Sequence, residues 1–106
     1  ESEASPGHLL HHYMPAVPLV VVPRDVEADV AAIAKQLGLQ APRAVTMELS
    51  DDPVLAARLL YAEMRRAAER GAEIILCPAP AGIDGLWAAI WDRLLWAATL
   101  VLPLSR

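Results

Sequence analysis

Apolar runs of strand length alternate with helical patterns along this chain. Residues 17–23 form a short β-branched run bounded by prolines, which is typical of a strand buried on both faces. Asp25 is predicted to cap a first helix that runs to Leu37 and ends at Gly38. Weak alternation of apolar and polar residues over 43–49 then predicts a second strand.

The second half of the chain repeats this alternation. Ser50-Asp51-Asp52-Pro53 indicates a helix start, because a capping acid precedes a proline at the first helical position. This second helix is expected to reach Arg70 and end at Gly71. Its predicted core stripe consists of Leu55, Leu59, Leu60, Met64 and Ala67.

A third strand is predicted over residues 73–77, followed by a loop over 78–85 and a last helix over 86–101 that Pro103 stops. The order β-α-β-α-β-α predicts a small Rossmann-like α/β unit of three layers, with a mainly parallel sheet. We expect residues 17–106 to form this domain. Residues 1–16 are expected to form an extended linker, because prolines at 6, 15 and 18 disfavour a helix.

Charge and cysteine content limit the classes of binding partner and the cellular compartment that we expect. The net charge is −4 and Lys35 is the one lysine, which argues against a surface that binds nucleic acid. Cys77 lies in an apolar run and has no second cysteine to pair with, so we expect a buried, inert thiol and a reducing cytoplasm. No signal peptide is expected at the acidic, polar start of the sequence.

The expected carboxyl edge of the sheet does not resemble a nucleotide site. Aspartates at 25, 52 and 84 stand at or near the three predicted helix starts, where a phosphate would otherwise bind. The sequence contains neither Gly-x-Gly-x-x-Gly nor Gly-x-x-x-x-Gly-Lys. We therefore expect no cofactor in this domain, and no catalytic residue.

The linker carries the most distinctive chemistry of the chain. His8, His11, His12 and Tyr13 lie close together there and suggest two interpretations, a metal cluster or a solvated arm. The arm is the favoured interpretation, because acidic ligands are found only at the far end of the segment and an extended chain does not preorganise a metal site.

The last predicted helix is apolar nearly all round. Trp87 and Trp91 are expected in the core, whereas Leu95, Trp96 and Leu100 fall on the opposite face. A membrane span is disfavoured because the segment is short and has charged residues near its centre. This face therefore predicts a surface for self-association or for another domain.

Three stretches together carry a family resemblance. Ser5-Pro-Gly-His-Leu-Leu-His-His-Tyr-Met-Pro15 is similar to a linker pattern Ser-Pro-Gly-Met-x-x-Arg-His-Tyr-Ala-Pro. Residues 52–62 and 75–98, the latter with Asp92-Arg93-Leu94, are similar to the second and closing helices of the same family. The chain thus resembles the C-terminal domain, with its preceding linker, of the long form of threonylcarbamoyl-AMP synthase.

The resemblance implies a role beside a separate, YrdC-like catalytic domain. The family condenses threonine, bicarbonate and ATP, with magnesium, into threonylcarbamoyl-adenylate for the modification of tRNA, and its linker lies over the catalytic pocket. The residues that match this gating linker are Ser5, Pro6, Gly7, His11, His12 and Tyr13. His11 stands where the family usually has arginine, and Met14 where it usually has alanine.

Overall fold

A computed structural model describes residues 15–102, which form four strands and three helices. In chain order these elements are β1 (Leu19–Val22), α1 (Val30–Leu37), β2 (Ala44–Thr46), α2 (Pro53–Glu69), β3 (Ile74–Pro78), α3 (Leu86–Ala97) and β4 (Leu100–Val101). Within this part of the chain, no helix is long and apolar enough to cross a membrane.

All four strands run parallel, in the order β2-β3-β1-β4. The central pair aligns Leu19 with Ile75, and every residue of β1 is buried. A strand covered on both faces needs apolar side chains pointing both ways, which explains the unbroken Leu-Val-Val-Val run.

Helices cover both faces of the sheet. Helices α2 and α3 pack on one face, over a cluster that includes Leu19, Val21 and Ile75. Helix α1 packs on the other face, over Val20 and Ile74. The prediction of a three-layer, Rossmann-like α/β unit with a parallel sheet is therefore confirmed.

The predicted start of the first helix is wrong. Asp25 does not cap it, and the helix begins five residues later, at Val30. Asp29 is the cap, and its carboxylate accepts a hydrogen bond from the Ala32 amide at 3.1 Å. Val26 is 56% exposed, so helical structure there would gain little apolar burial.

The predicted end of the last helix is also wrong. Helix α3 stops at Ala97 because Ala98 turns to extended geometry, and Leu100 and Val101 form β4. The amide of Thr99 donates to the Leu19 carbonyl at 2.8 Å, and the amide of Leu102 donates to the Val21 carbonyl at 2.9 Å. Pairing with β1 therefore replaces the last helical turn, adding a strand that the sequence pattern did not predict.

Helix α2 begins as predicted, with Asp52 as its cap and Pro53 at its first position, but its core stripe is shifted. The buried residues are Ala56, Leu60, Met64 and Ala67, whereas Leu55 and Leu59 are each 42% exposed. Residues 55 and 59 lie about 100° around the helix from 56 and 60, and the sheet is covered by the latter pair.

Strand β2 is shorter than the predicted 43–49 segment, although its alternation continues past its end. Val45, Met47 and Leu49 are buried while Thr46 and Glu48 are exposed. The alternation of buried and exposed residues therefore extends to Leu49, although regular pairing with β3 stops at Thr46.

Candidate functional site

The carboxyl edge of the sheet is held together by one arginine. Arg24 lies two residues after the end of β1, and its guanidinium donates to the Ala79 carbonyl, just after β3, at 2.9 Å. The same group forms an ion pair with Asp51 in the segment between β2 and α2. Arg24 thus ties together the three loops at the place where α/β sheets usually bind ligands.

The sequence did not single out Arg24 as a site residue. The sequence gives one local indication of its role, which is its position. A residue that follows closely after a buried parallel strand lies at the carboxyl edge of the sheet. Its partners Asp51 and Ala79 are 27 and 55 residues away in sequence. These groups come together only because β1, β2 and β3 lie in the order β2-β3-β1 within the sheet.

The helix starts at this edge do not fit the phosphates of ATP. Asp29 caps α1, and Asp52 caps α2 by accepting from the Val54 amide at 2.9 Å. These carboxylates occupy the amide groups that a phosphate would use and repel its charge. Helix α3 differs from the prediction, because Gly85 is its cap and makes no side-chain hydrogen bond there.

The loop between β3 and α3 is packed under two tryptophans. Trp91 donates its indole N–H to the Gly82 carbonyl at 3.2 Å. The Trp87 ring lies against Gly82 so closely that an added Cβ would sit 2.6 Å from its Cδ1 atom. Both rings are partly buried against the core, as the sequence predicts, and they fix one wall of the carboxyl edge.

A pocket opens beside Arg24 on the face that α1 covers. Its volume is about 360 Å³, and its walls come from the ends of β1 and β3, the side of β2 and the 23–29 segment. Among the side chains that line it are Arg24, Glu27 and Thr46. The late start of α1 leaves residues 25–28 out of the helix, where Val26, Glu27 and Ala28 line the pocket.

Cys77 is buried in β3 and is not a nucleophile. Its side chain has no exposed surface, and its thiol lies 3.4 Å from the Pro78 carbonyl. Burial raises the pKa of Cys77 to about 12, an effect that the charge of Arg24 only partly offsets. The thiolate required for reaction is thus strongly disfavoured at neutral pH.

We predict that iodoacetamide labels Cys77 only after unfolding. A rise in pKa from 9.0 to about 12 lowers the thiolate fraction at pH 8 about a thousandfold, and the packed core also blocks the reagent. Intact-mass spectrometry at pH 8 with and without urea measures the labelled fraction. In the unfolded chain labelling increases through pH 9, and rapid labelling of the native protein at pH 8 would contradict the burial.

Tyr61 and Arg93 connect the two helices on the other face. Burial raises the pKa of Tyr61, while the charge of Arg93 and a hydrogen bond with it act in the opposite direction. Arg93 also donates to the Ala89 carbonyl at 3.4 Å, and the next residue, Leu94, is fully buried. Arg93 and Leu94 of the Asp-Arg-Leu segment therefore contribute to the packing of α3 on α2.

The three residues predicted as an interface do not share a surface. Leu95 and Trp96 lie in the last turn of α3 and are 56% and 53% exposed. Leu100 belongs to β4 instead, where it packs against the cluster that α1 covers on the opposite face of the sheet. Its placement beside the other two was wrong because the helix ends at Ala97.

The predicted linker residues Ser5, Pro6, Gly7, His11, His12 and Tyr13 lie outside the described residues, as does His8. Their predicted roles stay predictions. Within residues 15–102, no group of three His, Cys, Asp or Glu side chains is arranged so that it could hold a metal ion.

Architecture and edge together define a Rossmann-like α/β domain whose described helix starts do not suit a nucleotide phosphate. The sequence model of the family described as "Threonylcarbamoyl-AMP synthase, C-terminal domain" matches residues 1–99, and the chain belongs to this family. No curated protein matches the chain at a significant level.

A solved structure has a similar fold. The fold is similar to the crystal structure of the C-terminal Sua5 domain of a hypothetical Sua5 protein from Pyrococcus horikoshii, with a TM-score of 0.58. The two share 18% sequence identity, and the match covers 86% of this chain and 99% of that one. At this identity the likeness supports the fold alone.

Proposed function

We propose that this chain is the accessory C-terminal domain of a threonylcarbamoyl-AMP synthase and acts through its linker on the pocket of a separate catalytic domain. The observation that carries the proposal is the family match over residues 1–99, which spans the linker as well as the folded domain. The parent reaction joins threonine, bicarbonate and ATP into the adenylate used to modify tRNA in the cytoplasm.

The fixed end of the linker supports this role. Val17 packs against the core under α2 and α3, and the Pro18 carbonyl accepts from the Ile75 amide at 2.8 Å. The segment that precedes Val17 thus leaves from a defined point at the amino edge of the sheet. A firmly held end shortens the reach of a covering segment and limits the positions it samples.

Substrate handling belongs, in this proposal, to the catalytic YrdC-like domain. The capping carboxylates of Asp29 and Asp52 oppose phosphate binding in the described part of this chain. ATP and magnesium are accordingly bound by the other domain, and this chain contributes Tyr13 and His12. The tyrosine offers a ring and a hydroxyl, which suit contact with a bound nucleotide.

We predict that the chain alone releases no pyrophosphate from ATP, threonine and bicarbonate. When residues 1–106 follow a catalytic domain of the family, Tyr13→Ala is expected to lower the rate tenfold or more, which corresponds to about 1.4 kcal/mol of barrier. Pyrophosphate release measured by a coupled assay checks both statements.

Met14→Ala is the matched control, because the family resemblance places alanine at that position. It is expected to leave the rate unchanged. Turnover by the isolated chain, or equal rates for Tyr13→Ala and the unaltered fusion, would overturn the proposed role of the linker.

Self-association is the second candidate, and the exposure of Leu95 and Trp96 favours it. Two large apolar side chains in one helical turn are suited to a small interface. Sedimentation of the unaltered chain against Trp96→Arg measures it. A concentration-dependent dimer that the substitution abolishes supports the interface, and a monomer in both cases removes it.

A further inference from the structure

The pocket beside Arg24 has the position of a ligand site. It lies at the carboxyl ends of β1 and β3, which are neighbours in the sheet and are followed by helices on opposite faces. Open α/β sheets bind ligands at such edges, and a volume of about 360 Å³ falls in the range of small-molecule sites.

The walls of this pocket select an apolar body. Val22, Val26, Val30, Leu76 and Pro78 line it, and Val26 stands at the sheet edge with more than half of its surface exposed. A bound apolar group would remove part of that surface from water, which favours binding. The hydroxyl of Thr46 adds one polar group on the β2 side.

The positively charged group of the pocket favours an anion. Among the described residues that line it, Arg24 alone carries a positive charge. The Ala79 carbonyl fixes one nitrogen of its guanidinium, so the group is held in place before any ligand arrives. A planar guanidinium binds a carboxylate through paired hydrogen bonds.

The present partner of Arg24 is easily exchanged. Asp51 is a side chain 85% exposed to solvent, and ion pairs of this kind are weak because water competes for both charges. Asp51 does not itself line the pocket, so a ligand carboxylate beside Arg24 would compete with it for the guanidinium from the pocket side. Asp51 returns to water at little cost.

The surrounding acids exclude a more highly charged ligand. Glu27 lines the pocket, and Asp29, Asp51 and Asp52 lie at the same edge of the sheet. Like charges repel, so a phosphate dianion meets more opposition here than a singly charged group does. The edge thus discriminates against phosphates and nucleotides.

We propose that this pocket binds a small monocarboxylate with a branched apolar body, with Arg24 holding the carboxylate. Such a site lies at the edge of the sheet opposite to the attachment of the linker, and it is independent of the proposed action of Tyr13. Binding there would alter the 23–29 segment, which forms the roof of the pocket.

Amide NMR of the whole chain tests this with three probes: 4-methylpentanoate, its neutral amide 4-methylpentanamide, and inorganic phosphate. The carboxylate is expected to give saturable shifts at Val26 and Thr46 in the millimolar range. The two other probes, 4-methylpentanamide and inorganic phosphate, are expected to bind at least tenfold more weakly than the carboxylate. Arg24→Gln is expected to lower the affinity for 4-methylpentanoate at least tenfold. Arg58→Gln, which changes an exposed arginine on α2, is expected to leave that affinity unchanged.

Val26→Glu provides a second variant at an exposed loop position, which keeps the test valid if Arg24→Gln does not fold. It adds a negative charge at the pocket and is expected to abolish carboxylate binding. The proposal is overturned by absence of saturable shifts, by equal affinity for the amide or phosphate, or by unchanged binding in Arg24→Gln or Val26→Glu.

Discussion

Leu60→Ala is expected to lower the free energy of unfolding by about 2–5 kcal/mol, the range for a leucine removed from a packed core. Leu60 is 1% exposed and faces the sheet from α2. Truncation there removes buried methyl groups and leaves a cavity that the neighbouring strands cannot close fully. Urea unfolding followed by circular dichroism measures the loss.

Leu59→Ala is the matched control, because the same chemical change is made one residue earlier on the same helix. Leu59 is 42% exposed, and its truncation is expected to cost less than about 1 kcal/mol. The slope of free energy against urea should stay the same in both variants. Equal losses would mean that Leu60 does not face the sheet more closely than Leu59 does.

Gly82→Ala is expected to destabilise the domain by about 1–3 kcal/mol through overpacking. The new Cβ would stand 2.6 Å from Cδ1 of Trp87, so the ring or the loop must move. Movement of the loop would also lengthen the hydrogen bond from Trp91 to the Gly82 carbonyl, now 3.2 Å. Thermal and urea unfolding measure the effect.

A double-mutant cycle with Trp87→Leu isolates the contact. The smaller leucine side chain leaves room for the added methyl group, so Gly82→Ala is expected to cost clearly less in that background. Ala81→Ser, an exposed change in the same loop, serves as the control and is expected to be neutral. An undiminished cost in the Trp87→Leu background would show that the Trp87 ring is not the obstacle.

This loop connects stability to the candidate ligand site. It includes Ala79, whose carbonyl holds Arg24, and Gly82, which two tryptophans cover. A variant that shifts the loop therefore changes the position of the guanidinium as well. Carboxylate binding by Gly82→Ala is expected to fall together with its stability, because one packed segment supports both.

Local signals predicted much of the fold. Pro53 after Asp52 placed the start of α2, and Gly38, with φ of 73°, ends α1 where its glycine predicts. These boundaries depend on groups a few residues apart, so local sequence patterns are enough to find them. The linker pattern and the closing Asp-Arg-Leu segment likewise predicted the family, which the match over residues 1–99 confirms.

Predictions failed where a distant element decided the outcome. The pattern predicts helix for Leu100 and Val101, but these residues pair with the free edge of β1 and form β4. It predicts core positions for Leu55 and Leu59, but the sheet meets a face of α2 turned by one residue. At Leu100 and Val101 the local pattern is compatible with helix or strand, and pairing with β1 selects the strand. On α2 the pattern is compatible with two neighbouring buried faces, and packing on the sheet selects one of them.

By itself the sequence determined the alternation of strands and helices, the parallel three-layer class and the family, whereas the linker over residues 1–16 stays a prediction. Only the tertiary structure decided that Arg24 joins Asp51 and Ala79, that residues 23–29 wall a pocket, and that Leu100 lies across the sheet from Trp96. The physical reason is range. Caps, turns and periodicity act between near neighbours, whereas a site at a sheet edge requires strands from distant parts of the chain to be ordered first.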